Sequence, residues 1–158
     1  MDFIRPQAAV LARRLEEPRW FIQAVAGPRQ VGKTTLVGQV TQASGLPTRY
    51  ASADGPTLRE TSWVEQQWEA ARLETQDAGR RGAVLVLDEI QKIRGWSESV
   101  KRLWDEDTRN RLPLKVILLG SAPLLVQDGL TESLAGRFEI LRILHWSFAE
   151  MREADGLL

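Results

Sequence analysis

The chain of 158 residues has no cysteine, which excludes disulfide staples and thiolate metal sites. It has a single histidine, His145, with no second ligand at metal spacing, so His145 reads as structural. No apolar run approaches the roughly 20 residues that a membrane-spanning helix needs. The start, Met1-Asp2-Phe3-Ile4-Arg5-Pro6, lacks the basic-then-apolar order of a signal peptide. An excess of charge is missing too: 21 basic residues balance 21 acidic ones. That balance argues against a nucleic-acid binder held by bulk charge, although it leaves room for a local patch. Internal repeats and low-complexity stretches are absent. These absences leave a soluble, cytoplasmic protein, expected as a single domain over residues 1–158 with length enough for a sizeable core.

What is present starts at Gly27. The run Gly27-Pro28-Arg29-Gln30-Val31-Gly32-Lys33-Thr34-Thr35 fits the phosphate-loop pattern G-x-x-x-x-G-K-[ST]. Gly27 and Gly32 let a phosphate approach the main chain. The loop amides form a partly positive nest, and the following helix adds its N-terminal dipole. Lys33 is expected to reach the β- and γ-phosphates, and the Thr34 hydroxyl to hold Mg²⁺. The context agrees, since Phe21–Ala26 is a short apolar run of strand type and Leu36, Val37 and Val40 share one helical face after the loop. The bland alternative is a glycine turn between a strand and a helix.

The second strong stretch is Ala83-Val84-Leu85-Val86-Leu87-Asp88-Glu89. Aliphatic residues without alternation predict a strand buried on both faces, as in a parallel sheet. Sites in open parallel sheets lie beyond the carboxyl ends of strands, where this run places two adjacent acids. Asp88 is expected in the Mg²⁺ shell and Glu89 as the general base that polarises an attacking water. The alternative is a strand that ends in a solvated acidic turn.

The remaining elements follow from pattern. A first helix is expected over 2–16, with Phe3, Val10, Leu11 and Leu15 inward, Pro6 in its first turn and Pro18 ending it. Arg5 could face nucleotide or solvent, with solvent favoured. Ser44-Gly45 should stop the phosphate-loop helix, and 48–52 reads as a second strand. A helix is expected over 57–76 with Val64, Trp68, Ala71 and Thr75 on one face, then a polar connection over 77–82. Residues 90–95 read as a connection. Trp96, Val100, Leu103 and Trp104 form a helical stripe suited to core packing. Most of the 6 tryptophans are expected in the core or on a partner-facing surface. Leu114–Ser121 predicts a further strand. If it lies between the Asp88 strand and the phosphate loop, Ser121 stands beside the γ-phosphate and orients the attacking water; capping of the next helix fits Ser121 equally well. Phe138–Leu144 reads as a last strand. Arg137 before it could stabilise charge on a transferring phosphoryl group, or pair with Glu132 or Glu139. Ser147 and Glu150 have the spacing of a capping box, and the chain stops within that helix at Leu157-Leu158, which suggests a fragment of a longer protein.

Together these stretches resemble the bacterial and archaeal AAA-type ATPases in which a P-loop domain precedes a C-terminal domain of unknown function. The likeness rests on the phosphate loop through Leu36, on Leu87-Asp88-Glu89-Ile90-Gln91-Lys92-Ile93 with Trp96, on Leu119-Gly120-Ser121-Ala122, and on Ser133-Leu134-Ala135-Gly136-Arg137 with Ser147-Phe148-Ala149-Glu150. It implies a three-layer α/β/α P-loop NTPase fold with a mostly parallel sheet of ASCE/AAA type, order 5-1-4-3-2. It implies ATP and Mg²⁺, Lys33 and Thr34 on phosphates and metal, Asp88 and Glu89 as the Walker B pair, Ser121 at the polar sensor position and Arg137 as the arginine of the Gly-Arg element. ATP is favoured over GTP chiefly by this resemblance, no Asn-Lys-x-Asp run being present. Ala122 stands where relatives often carry a second serine, and the C-terminal domain of relatives is not in this sequence. The implied activity is ATP hydrolysis that drives a conformational switch or motor on a protein or nucleic-acid partner, with a homo-oligomer among the options. The alternatives are a P-loop kinase acting on a small molecule and a nucleotide-binding interaction module with little turnover.

Overall fold

A computed structural model describes residues 6–28, 32–55, 60–125 and 133–143. Five strands are described: β1 (Ile22–Ala26), β2 (Thr48–Ser52), β3 (Ala83–Asp88), β4 (Leu114–Gly120) and β5 (Phe138–Arg142). They form one sheet in the order β5-β1-β4-β3-β2. This is the expected order, and each pairing is parallel rather than most of them. Parallel neighbours need crossovers. These are supplied by α2 (Lys33–Ser44), α3 (Thr61–Ala78) and α4 (Trp96–Arg109), with α1 (Pro6–Glu16) preceding β1 and the short α5 (Ala122–Leu125) following β4.

The aliphatic runs are what place the sheet between two helical layers. Alternate residues of β3 face opposite sides. Val84 and Val86 pack with Leu11 and Leu15 of α1 and Leu36 and Val40 of α2. Leu85 and Leu87 pack with Trp68 of α3 and Val100 and Trp104 of α4. Each fully buried side chain of this size contributes about 1.5–3 kcal/mol of transfer free energy. A strand exposed on either face would forfeit half of that term, which is why β3 shows no polar alternation.

Element boundaries differ from the sequence expectation where local chemistry is permissive. All four residues expected on the inner face of α3 are buried, and Trp63 joins them. The helix runs on to Ala78, and a 3-10 turn over Gly79–Arg81 occupies the expected polar connection. A second 3-10 turn, Ile90–Lys92, occupies the connection after β3. The α2 helix stops as expected, at Gly45 in the left-handed region with φ 72°. The stripe Trp96, Val100, Leu103 and Trp104 is buried. The expectations for Phe3, Arg5, His145, Ser147 and Glu150, and for the loop residues Arg29, Gln30 and Val31, fall outside the described residues.

Two glycines are required by close approach. A Cβ on Gly27 would lie 2.2 Å from the Ile143 carbonyl oxygen, and one on Gly82 would lie 1.8 Å from the Pro113 carbonyl oxygen. Both neighbours are main chain and cannot move aside as a side-chain tip would. The first contact joins the start of the phosphate loop to the end of β5. The second joins the entries of β3 and β4.

Candidate functional site

The carboxyl ends of β1, β3 and β2 open onto a cleft of about 400 Å³, lined by Gly32, Lys33, Thr34 and Thr35 on one side and by Tyr50, Asp88 and Glu89 on the other. The path from sequence to this arrangement is short. β1 ends at Ala26, and Gly27 donates its main-chain N–H to the Gly120 carbonyl at 3.2 Å, holding the loop start against β4. The described end of the loop is Gly32, with φ 85°, a left-handed conformation that favours glycine. Helix α2 begins directly after it, so its free N–H groups and positive dipole end face the cleft.

Lys33 is buried, and its Nζ donates to the Gly27 carbonyl at 2.7 Å and to the Pro28 carbonyl at 2.9 Å. The ammonium is thereby held at the mouth of the loop. Thr34 Oγ1 donates to Asp88 Oδ2 at 3.0 Å. A hydroxyl and a carboxylate from opposite walls thus meet at one point, although they are 54 positions apart in the chain. Among the described residues no group of three or more His, Cys, Asp or Glu gathers as a metal cage. One hydroxyl and one carboxylate beside a phosphate loop is instead the donor set suited to Mg²⁺, which keeps several waters and takes substrate phosphates as ligands. The residues present therefore fit that ion.

Glu89 is one of two described non-glycine residues with positive φ, at 56°. Its N–H donates to the Leu119 carbonyl at 2.9 Å, and its own carbonyl accepts from the Lys92 N–H at 3.1 Å. These bonds hold the strained turn that swings the chain out of β3. The carboxylate accepts from Gln91 Nε2 at 3.0 Å and lies 3.8 Å from Lys92 Nζ, which also pairs with Asp54. Gln91 packs tightly over β4, where a Cβ on Gly120 would lie 2.2 Å from Gln91 Oε1. That oxygen is buried without a hydrogen-bond partner.

Tyr50, Ser52 and Asp54 line the cleft and were missed by the sequence reading; of these, Tyr50 reaches the candidate metal ligand. Its hydroxyl donates to Asp88 Oδ2, the same oxygen that Thr34 uses. The side chain is half exposed, and partial burial of the phenol, reinforced by its hydrogen bond to the Asp88 carboxylate, pushes it up to about 12. The hydroxyl therefore stays protonated, a donor held on the carboxylate.

Ser121 follows β4, which does lie between β3 and β1. Gly120 pairs with Ala26, so Ser121 stands at the same end of the sheet as the phosphate loop. Its carbonyl accepts from the Leu125 N–H at 3.0 Å, which starts α5.

Arg137 is elsewhere. It precedes β5, and its carbonyl accepts from the N–H of Ile22, the first residue of β1. Both strands run from there toward the phosphate loop for 5 residues, about 16 Å at the rise of a strand. The guanidinium makes a two-pronged contact with Asp105, Nε to Oδ1 at 2.8 Å and Nη2 to Oδ2 at 3.0 Å. This placement sets the Arg137 guanidinium away from its own cleft, and leaves open the action on a neighbouring copy that the sequence allows equally. The partner of Arg137 is Asp105 rather than Glu132 or Glu139, the first of these lying outside the described residues.

A family model described as AAA domain matches residues 20–152. No curated protein matches the chain.

Proposed function

The chain belongs to the AAA domain family, and from that premise we propose that it binds ATP with Mg²⁺ and hydrolyses the γ-phosphate bond, with water as acceptor. The observation that carries this reading is the meeting of Thr34 Oγ1 and Asp88 Oδ2 at 3.0 Å, beside Lys33 and Glu89, at the carboxyl ends of parallel strands. Mg²⁺ would be held by Thr34 and Asp88 and would supply charge neutralisation on the phosphates. Lys33 would exchange its two carbonyl partners for phosphate oxygens, with Gly27, Pro28, Gly32 and Thr35 framing the cradle and Arg29, Gln30 and Val31 completing its loop. Glu89 would take a proton from the attacking water, and Ser121 would orient that water. Positioning and charge stabilisation carry such a reaction, since the protein forms no bond to the phosphoryl group.

A second reading has its own observation. The Glu89 carboxylate is engaged by Gln91 and faces Lys92, which suits a nucleotide-binding module with slow turnover until a partner releases the base. The Arg137 guanidinium, remote from its own cleft, suits action on a neighbouring copy, the homo-oligomer option. A turnover rate per protomer that rises with protein concentration supports that option, and a flat rate removes it. The proposed role is a conformational switch or motor, coupled through loops around the γ-phosphate to a protein or nucleic acid.

The test is ATP binding and turnover measured together on the parent and on Glu89→Gln, with Mg²⁺. Binding in both and a loss of about 10²–10⁴-fold in turnover in the variant is the expected result. Binding in both with turnover in neither selects the slow module. An absence of binding by folded protein overturns the reading.

A further inference from the structure

Among the described residues a second cleft, of about 740 Å³, is at the opposite end of the sheet from the phosphate loop. Its walls are the end of α1, the 3-10 turn after α3, and the segment that joins α4 to β4. The floor is apolar, with Leu15, Leu46, Leu112 and Pro113. The charge around it is not balanced. Asp107 is fully buried and is used inside the fold by Trp68 Nε1 at 2.8 Å and Arg72 Nε at 2.7 Å. Arg19 is likewise used, stacked over Trp104 at 3.5 Å and donating to the Leu114 and Trp104 carbonyls. Arg80, Arg81, Arg111 and Lys115 stand against Glu16 and Glu17; of these, Arg81 also donates to the Ser44 carbonyl at 2.8 Å. Arg80, Arg81 and Arg111 are exposed.

Lys115 is partly buried at the cleft wall. Burial lowers its ammonium below the usual lysine range, and Arg81 lowers it further, with Glu16 opposing. Its Nζ donates to the Leu15 carbonyl, which fixes it at the cleft wall. Next to the cleft, and sharing Arg19 and Lys115 with it, is a ledge that carries Trp20 and Phe21. These rings are 61% and 39% exposed, whereas four other tryptophans, Trp63, Trp68, Trp96 and Trp104, are in the core.

Cations in a groove beside exposed aromatic rings are the two elements that grip a single-stranded nucleic acid, phosphates along the groove and bases on the rings. Arginine forks match phosphate geometry. An acidic peptide would use the cations but leaves the aromatic ledge without a role. We propose that the amino-terminal end of the sheet, Arg80, Arg81, Arg111 and Lys115 together with Trp20 and Phe21, is a binding surface for single-stranded nucleic acid. Glu16 and Glu17 weaken it, which keeps the affinity modest and strongly dependent on salt. The surface is separate from the phosphate loop, so the proposal does not rest on ATP hydrolysis.

The test is fluorescence anisotropy of a labelled oligothymidylate of about 15 nucleotides titrated with the full chain at low and moderate salt. Binding that is weakened at least about tenfold in Arg80→Glu/Arg111→Glu, with a salt slope smaller by about 1.4 for two cations removed, is the expected result. Both residues are exposed, and circular dichroism verifies that the double variant folds. Trp20→Ala should weaken binding, Glu16→Gln/Glu17→Gln should strengthen it, and Lys33→Ala should leave it unchanged. No binding by the parent at low salt overturns the proposal. So does equal binding by the double reversal. Preferential binding of polyglutamate assigns the cleft to acidic peptides and also overturns it. Failure here leaves the ATPase reading untouched, and loss of ATP binding leaves this surface untouched.

Discussion

The two ends of the sheet handle their charges in opposite ways. At the carboxyl end, one oxygen of Asp88 accepts from both Thr34 and Tyr50, Lys33 donates to the Gly27 and Pro28 carbonyls, and Glu89 is held in a strained turn. At the amino end, Asp107 meets Trp68 and Arg72, and Arg137 meets Asp105 at two points. Those pairs tie α4 to α3 and to the start of β5, while Arg80, Arg81 and Arg111 at the same end stay exposed. The carboxyl end gathers groups whose best partners are not each other. A fold can hold such a collection only if it is stabilised elsewhere, and strain of order 1–3 kcal/mol at a residue like Glu89 persists because the surroundings dictate it.

The comparison is broken hardest at the two crowded glycines. Gly82→Ala places a methyl group against the Pro113 carbonyl at a residue with φ 79°. Loss of about 3 kcal/mol or more is expected, a fall of roughly 6–12 °C in melting temperature for a domain of this size. Gly27→Ala meets the Ile143 carbonyl at 2.2 Å without a positive φ. A smaller loss of about 2 kcal/mol is expected, together with loss of nucleotide binding, because the clash is at the loop itself. Thermal melts with and without ATP and Mg²⁺ check both. The reverse pattern, in which Gly82→Ala abolishes binding while remaining stable, would mean that the two ends are not separable.

Next in size is Asp107→Ala. It removes a carboxylate that is 0% exposed and strands both Trp68 Nε1 and Arg72. Breaking a buried pair from one side costs about 3–5 kcal/mol; Arg72 keeps Glu106 at 3.1 Å, so the lower figure is expected. Urea unfolding measures it, and ATP affinity should not change. Arg137→Ala is smaller, about 0.2–1 kcal/mol, because the pair with Asp105 is partly exposed and screened. Its turnover at high dilution should equal that of the parent. A loss seen only at high protein concentration would identify action on a neighbouring copy.

How much of this the sequence discloses depends on whether a signal is local. The run Ala83–Leu87 dictates a strand buried on both faces because no residue in it tolerates water, and the inner face of α3 is legible at Val64, Trp68, Ala71 and Thr75 for the same reason. The phosphate loop is legible because its chemistry needs those residue types at adjacent positions. Tyr50 is not, since its contact with Asp88 spans 38 positions and is set by the register of β2 on β3, in which Ser52 pairs with Asp88. No spacing rule encodes a diagonal neighbour across strands. Arg137 is the instructive case, because a usable signal existed. A residue just before a strand in a parallel sheet must be at the amino end, away from Gly27, once β5 is recognised as parallel to β1. That topology takes Arg137 away from its own phosphate loop and says nothing against action on a neighbouring copy.

The smallest effect sharpens the comparison most directly, because Tyr50 is the only tyrosine in the chain. Its phenol is pushed up to about 12 by partial burial and by Asp88, against about 10 in an unfolded chain. A raised folded value stabilises the fold below the unfolded value, and that contribution is lost as pH rises from about 10 through about 12. At neutral pH it is constant, so no change in stability is expected between pH 6 and 8 from this group. Ultraviolet absorbance of tyrosinate reads the residue alone. In the folded protein the midpoint should be well above that in urea, and Asp88→Asn should bring it down by removing the neighbouring charge while burial keeps part of the shift. Tyr50→Phe should leave the fold intact and loosen Asp88, so that Mg²⁺-dependent nucleotide binding weakens while binding in EDTA does not. An unshifted midpoint in the folded parent would mean that the hydroxyl is not held on the carboxylate. The carboxyl end would then be as loosely coupled across its strands as the pairs of Asp107 and Asp105 at the amino end are tight.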